Sequence, residues 1–507
     1  GNDIRVRSFE VTDTAASISA NLDALQGLGP KLTAVNQLDT EAIQLTGKQY
    51  KSYANSFDKF GSGYRLAVLS AAANQVATLV ADQTHIKSIQ VADTAENIAE
   101  NLSSIQSAAN LTQDETSISV TITSADKLFN LSAQEMQDYN GALDSIQGGY
   151  QLNVTDVLAD DAISVAQNSH VLSMSVNAFA SDLSSVSLLA DLKSLGNKIN
   201  KILQTDVESD INLSVEDWES NSVLLSKING YQVALTNVKA GSTDNLLKNI
   251  HVNSVSVVDS ANQISNHFDT LKSLGANLVG LEQADGASDD IQLNMNQWLT
   301  GHTTLDKFQS SYSVEITNAN AQQAQTLIAE SSISSIKVED IAAELTNNFD
   351  NLVINDKVNS LRVSDPLSPI ALTAEQLASG GGVDGLMQKI QGGYLLAVSN
   401  ADVSGVSDLL GDTHVVSAEM KGTGDDITTA LPELAQMGAR LKSLTLTDTN
   451  PTLELSYTDF QKYKPVLAKI GQSFNIAVSN MKVRDAISEG ASGQFNLQMT
   501  VADAAAL

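Results

Sequence analysis

The 507-residue chain contains no cysteine. Disulfides, thiolate metal sites, haem-attachment motifs and cysteine nucleophiles are therefore excluded. Aromatic residues are scarce, at 5% against 42% for all apolar types, so a core must be assembled from Ala, Val, Ile and Leu. Positive charge is also thin: 29 Lys and Arg face 59 Asp and Glu, a net charge of −30. A surface of that sign repels nucleic acid and anionic membranes, and neither is an expected partner. No apolar run approaches the ~20 residues of a membrane-spanning helix. The opening "GNDIRVRSF" has no signal-peptide h-region. A signal already removed, a C-terminal export signal outside this chain, or a cytosolic protein would each account for that. No Gly-x-Ser-x-Gly, His-Glu-x-x-His or Walker motif occurs, and the chain is not expected to be an enzyme.

What is present is a repeated phrase. "HIKSIQVADTAEN" at His85 returns as "HVLSMSV" at His170, "HVNSVSVVDSANQ" at His251, "ISSIKVEDIAAE" at Ile333 and "HVVSAEM" at His414. The intervals are 85, 81, 82 and 81 residues. Internal periodicity of this length marks a repeat architecture. The expected units are residues 1–84, 85–169, 170–250, 251–332, 333–413 and 414–494, with 495–507 opening a seventh.

Each unit carries the same order of signals. A strand of pattern Φ-x-x-Φ-x-Φ comes first, as in Ile86, Ile89 and Val91. A helix follows, with Ile98, Leu102 and Ile105 on one stripe, Asp93 as the expected N-cap and Glu96 closing a box. A second strand, such as "LKSLTL" at Leu441, leads through a short apolar-polar piece into a second helix. The starts of those helices are the most regular feature of the chain: "LTGKQY", "LSAQEM", "LSVEDW", "LNMNQW", "LTAEQL" and "LSYTDF". Thr46, Ser132, Ser214, Asn294, Thr373 and Ser456 stand at the cap, with Gln, Glu or Asp three residues later. This is a capping box, with a preceding Leu and a large apolar residue at the fourth helical position forming a hydrophobic staple. Trp218 and Trp298 fill the staple position and are expected in the core. Glycine or polar stops such as "QGGY" at Gln147 are expected to end the helix. A third strand and a short Ala-rich helix close the unit.

Strands separated by helices, without two-residue hairpin turns, argue for parallel pairing. The expected fold is α/β: a solenoid of about six β-α-β-α-β-α units. At ~4.8 Å per strand, one unit would rise roughly 14 Å and six on the order of 90 Å. His85, His170, His251 and His414 would then lie too far apart to share a zinc ion, and each is expected to be a turn residue packed on a corner. Tyr64, Tyr150, Tyr231, Tyr312 and Tyr394 are expected to begin core strands. Asp285, Asp289 and Asp290 in "GLEQADGASDDIQL" are weak calcium candidates that lack the EF-hand spacing. No other cofactor is expected.

"VTDTAASISANLDALQGL" (Val11 to Leu28), "VADTAENIAENLSSIQS" (Val91 to Ser107) and "LKSLTLTDTNPTLELSYTDFQ" (Leu441 to Gln461) carry a resemblance. They resemble the Asp-Thr-Ala-x-x-Ile-x-x-Asn-Leu-Asp-x-Leu repeats of large exported proteins of Gram-negative, mainly alphaproteobacterial, bacteria. Those proteins are described as adhesins, S-layer proteins or hemolysin-like exoproteins. The resemblance implies type I secretion, an extracellular or cell-surface location, and a structural or adhesive role with itself or other surface components as partners. It brings no catalytic residues. A ligand-binding solenoid and, more remotely, an enzyme on a repeat scaffold are the competing readings. Apolar alternation at Phe495, Leu497, Met499 and Val501, and a strand expected in "IRVRSFEV", suggest either a piece of a longer chain or head-to-tail association.

Overall fold

The computed structural model describes residues 5–111, 116–286, 288–379, 385–492 and 496–501. Helices alternate with parallel strands throughout these segments, so the protein is of the α/β class. The chain forms two compact units: one runs through Thr236 and includes Leu247–Ser254, the other comprises Asn237–Leu246 and Val255 onward.

In the first unit, Phe9–Asp13 pairs with Leu32–Gln37. A second sheet runs in the order Ile43–Thr46, Leu66–Ala71, Ile86–Asp93, Ser117–Ile122, Ile146–Gln147. A third contains Leu128–Ser132, Gln151–Leu158, Val171–Ala178 and Ile199–Gln204 in that order. Every pairing is parallel. The sheets are linked by the way strands divide. Ser117–Ile122 and Leu128–Ser132 follow one another along the chain, and so do Ile146–Gln147 and Gln151–Leu158. The first of each pair joins one sheet and the second joins the next. Single bridges at Val35↔Phe60 and Ile202↔Ile228 repeat this link. The second unit is built alike: Ile291–Leu293, Val314–Ala319, Ile333–Asp340, Val358–Val363, Ile390–Gln391, then Pro369–Thr373, Leu395–Asp402, Val415–Gly422, Leu441–Leu446. Thr452–Ser456, Asn475–Met481 and Asn496–Val501 form its last sheet.

The core lies between these strands and the helices. In Ile86–Asp93, Ile86, Ile89 and Val91 are buried and the residues between them are not. Ile98, Leu102 and Ile105 pack from the following helical segment. Aliphatic side chains dominate, and Phe129, Phe268 and Phe460 are the largest fully buried ones.

Four local expectations require correction. The helix after Ile86–Asp93 is capped by Thr94, whose hydroxyl accepts from the Asn97 N–H, while Glu96 closes no box. Asp93 is one residue too early: it ends the strand, and its carboxylate accepts from Thr94 N–H and Ala73 N–H. Trp298 is buried but Trp218 is only half-buried. The Gly-Gly pairs do not cap helices. In "QGGY" the helix ends at Asp144, Ile146–Gln147 pairs with one neighbour, and Gly148 then turns the chain toward the next. Its φ of 88°, like 72° at Gly230 and 87° at Gly392, is left-handed backbone that glycine adopts without Cβ strain. Finally, the first described strand starts at Phe9, after an irregular stretch from Arg5. Ile4 and Phe495 lie outside the described residues.

Candidate functional site

The conspicuous polar residues are engaged in recurring contacts, some within one helical turn and some between segments 20 or more residues apart. The first set caps the middle helices. Gln49 N–H donates to Thr46 Oγ1 (3.2 Å), Glu135 N–H to Ser132 Oγ (3.2 Å), and Asp217 N–H to Ser214 Oγ (3.0 Å). The same bond joins Gln297 to Asn294 (2.8 Å), Gln376 to Thr373 (3.1 Å) and Asp459 to Ser456 (3.1 Å). Gln49, Glu135, Gln297 and Gln376 return a bond to the cap residue's own N–H. Asp217 and Asp459, one methylene shorter, accept from the serine hydroxyl instead, each at 2.6 Å.

A second set was not recognised in the sequence. The first N–H of the helix after each first strand donates to an oxygen 23 to 29 residues further on. Ala15 reaches Asp39, Ala95 reaches Ser124, and Ala180 reaches Asp206. Ala261 reaches Asp285, Ala342 reaches Asp365, and Gly424 reaches Asp448. A carboxylate here satisfies an orphan amide and complements the positive end of the helix. The third helices show the same contact at Ala73–Asp93, Ala240–Asp259 and Ala321–Asp340 (2.9, 3.0 and 3.0 Å). Partial burial pushes the Asp93 carboxyl up, but hydrogen bonds from Asn97, Ala73 and Thr94 outweigh it and hold the group below the ordinary Asp value. The Ala342 N–H does the same for Asp365. Cations stand at or just past the opposite helix ends: Lys198 donates to Ala166 O, Arg440 to Leu410 O, and Lys357 to Glu330 O three residues beyond Leu327. The signal available in the sequence was an acid or Ser four to six residues before each short strand.

The third set explains the histidines. His85 stacks on Tyr64, His170 on Tyr150, His251 on Tyr231 and His414 on Tyr394. Their centroids are 3.9–4.2 Å apart and their planes within 6°. Nδ1 of His170 and His251 donates to the carbonyl of its stacked tyrosine (3.0 and 2.9 Å). Nδ1 of His85 and His414 instead faces Asp82 and Asp412 (2.7 and 2.9 Å). Burial, with Asp82 and Asp58 nearby, pushes the Tyr64 hydroxyl up to about 12. Burial also raises Tyr150 and Tyr394. Ser332 stands where the fifth histidine would be, and Tyr312 stacks on Phe308 at 4.3 Å.

The calcium candidates do not converge. Both oxygens of Asp285 accept from Ala261 N–H (3.1 and 3.0 Å). The backbone carbonyl of Asp289 accepts from Gln283 Nε2 (2.6 Å). Asp289 is exposed and Asp290 half-buried. Among the described residues, no group of three His, Asp or Glu side chains is placed to hold a metal ion. No helix among them is long and apolar enough to cross a membrane. A cavity of about 890 Å³ in the second unit is lined by residues that include Leu377, Met387, Leu409, Asp402, Asp408 and His414.

No protein-family model matches the chain, and the comparison with curated proteins gives no match.

Proposed function

We propose that this chain is a non-catalytic structural or adhesive repeat segment of an exported bacterial cell-surface or matrix protein. Its repeats, 1–84, 85–169, 170–250, 251–332, 333–413 and 414–494, would stack as a single solenoid. One observation carries this reading: a helix N–H meets the Asp or Ser of the following turn at the same place in all six. Side chains that would be candidates for chemistry are spent holding one coil to the next, as stacking repeats require. The resemblance to exported repeat proteins supports the location and the adhesive role, with type I secretion as the route.

Small-angle scattering tests the architecture. A solenoid should have a maximum dimension on the order of 90 Å. A compact chain of this length would measure roughly 60 Å, and that value would overturn the stack. Antibody labelling of intact cells tests the location: signal only after lysis would reject a surface protein. Melting with calcium and with a chelator tests the weak cation candidates.

A second reading, a ligand-binding repeat protein, is favoured by the cavity beside His414. A small-molecule screen read out by melting temperature, repeated on a variant with Leu409 enlarged to Trp, separates it from the first.

A further inference from the structure

One place on the first unit departs from the rest of the repeated surface. Leu158, Asn177 and Leu203 stand in one register row across three parallel strands, Asn177 being partnered on either side by the two leucines. Side chains in a register row share a sheet face. Phe179, two residues beyond Asn177 in extended backbone, falls on that same face. Leu158 is 59% exposed, Phe179 56% and Leu203 47%. The other repeats are mostly polar at these positions: Lys239, Asn320, Asp402 and Lys482 match Leu158, with Ala72 the exception. Asn36, Thr121, Glu282, Arg362 and Thr445 match Leu203. Thr14, Thr94, Ser260 and Thr423 match Phe179, with Ile341 the exception. Only here do all three become large and apolar.

Folding does not explain the change. Phe179 is the N-cap of its helix and makes no side-chain cap bond, whereas Thr14, Thr94, Ser260 and Thr423 do. The substitution gives up a cap and exposes a ring. Contiguous exposed apolar side chains bordered by polar ones mark interaction sites.

We infer that Leu158, Phe179 and Leu203 form a docking surface for a short peptide segment of another protein, one that presents apolar side chains flanked by Lys or Arg. Charge and size select this occupant. Asp156, Asp182 and Asp206 border the patch: Asp156 accepts from Asn177 Nδ2, Asp182 from Phe179 N–H and Asp206 from Ala180 N–H. Lys201, one strand over and two residues before Leu203, is the cation beside them. The acidic border and the chain's net charge of −30 repel a second copy and an anionic membrane, and attract a basic segment. Three side chains also cover far less than the roughly 800 Å² per partner of a standard protein interface. The inference is independent of the role proposed above.

The test is fluorescence anisotropy with the intact chain and labelled 12-residue peptides of alternating Leu/Lys, Leu/Glu and Ser/Lys. The variants are Phe179→Thr and the triple change Leu158→Lys, Phe179→Thr, Leu203→Thr, each copying a residue that another repeat uses. Leu/Lys peptide should bind the native chain and weaken at least tenfold with the triple variant, while Leu/Glu should not bind. Phe179→Thr should bind more weakly yet melt no lower than the native chain, because it restores the cap, so lost binding is not lost folding. Equal Leu/Lys affinity for the native and triple-variant chains would overturn the inference. So would Ser/Lys binding as tight as Leu/Lys, which leaves charge alone, or patch-dependent binding to phosphatidylcholine vesicles without peptide binding.

Discussion

Tyr150 and His170 lie ring on ring, centroids 3.9 Å apart and planes within 1°, and the histidine also donates through Nδ1 to the tyrosine's own carbonyl. One residue pair thus closes the start of one strand onto the start of the next. The stack contributes about 0.5–1.5 kcal/mol beyond area and the hydrogen bond about 1 kcal/mol. His170→Ala should therefore cost about 1–2 kcal/mol in denaturant unfolding. A double-mutant cycle with Tyr150→Leu should return a coupling of at least 0.5 kcal/mol. The stack makes the loss of this histidine comparable to the loss of a helix cap.

The caps act locally and repeat. Ser214→Ala removes the acceptor for Asp217 N–H and should cost about 1 kcal/mol. Ser132→Ala and Ser456→Ala, far apart in sequence and sharing no hydrogen-bond partner, should add to within ~0.5 kcal/mol when combined. Strong non-additivity in the melting data would mean that these residues do more than cap.

The Asp–helix contacts make stability sensitive to acid. Asp93 and Asp365 have folded-state values below the unfolded one, so the protons they bind favour the unfolded chain. Their contribution is present above the unfolded Asp value of about 3.9 and is lost as pH falls through the lower folded value. Melting temperature should therefore drop progressively as pH falls below about 5. The drop should be shallower in Asp93→Asn and Asp365→Asn, because the amide keeps an acceptor oxygen and does not titrate. Identical acid slopes in the native chain and both variants would place the loss elsewhere.

Gly301 is constrained by space rather than by its dihedral angle, since its φ of −101° suits any residue. A Cβ there would sit 2.5 Å from the Phe268 ring and 2.5 Å from the Gln297 carbonyl oxygen, and Phe268 is fully buried. Gly301→Ala should destabilise by about 1–3 kcal/mol through overpacking. Combining it with Phe268→Leu should recover part of that loss, a rescue that calorimetry can read.

Features written within a few residues of one another were legible in the sequence. The alternation of strands with helices and the parallel class follow from hydrophobic spacing and from the absence of hairpin turns, and the recurrence at 81 to 85 residues from short phrases that return almost unchanged. The residue types and the three-residue spacing at Thr46, Ser132, Ser214, Asn294, Thr373 and Ser456 pointed to helix starts for the same reason: a cap and its amide lie in one turn. Contacts between residues far apart in sequence were not legible, because they depend on the register of parallel strands. His170 meets Tyr150 across 20 residues, and Ala180 N–H meets Asp206 across 26. Nothing local to either residue names its partner. The glycine pairs show the same divide. Sequence marks Gly148 as a break, but only the pairing of Ile146–Gln147 with one strand and Gln151–Leu158 with another shows a turn between neighbours instead of a helix end. Phe179 likewise reads as a degenerate repeat position until the register of Leu158, Asn177 and Leu203 sets it on one exposed face. Local chemistry determined the elements; the pairing of strands decided which side chains meet.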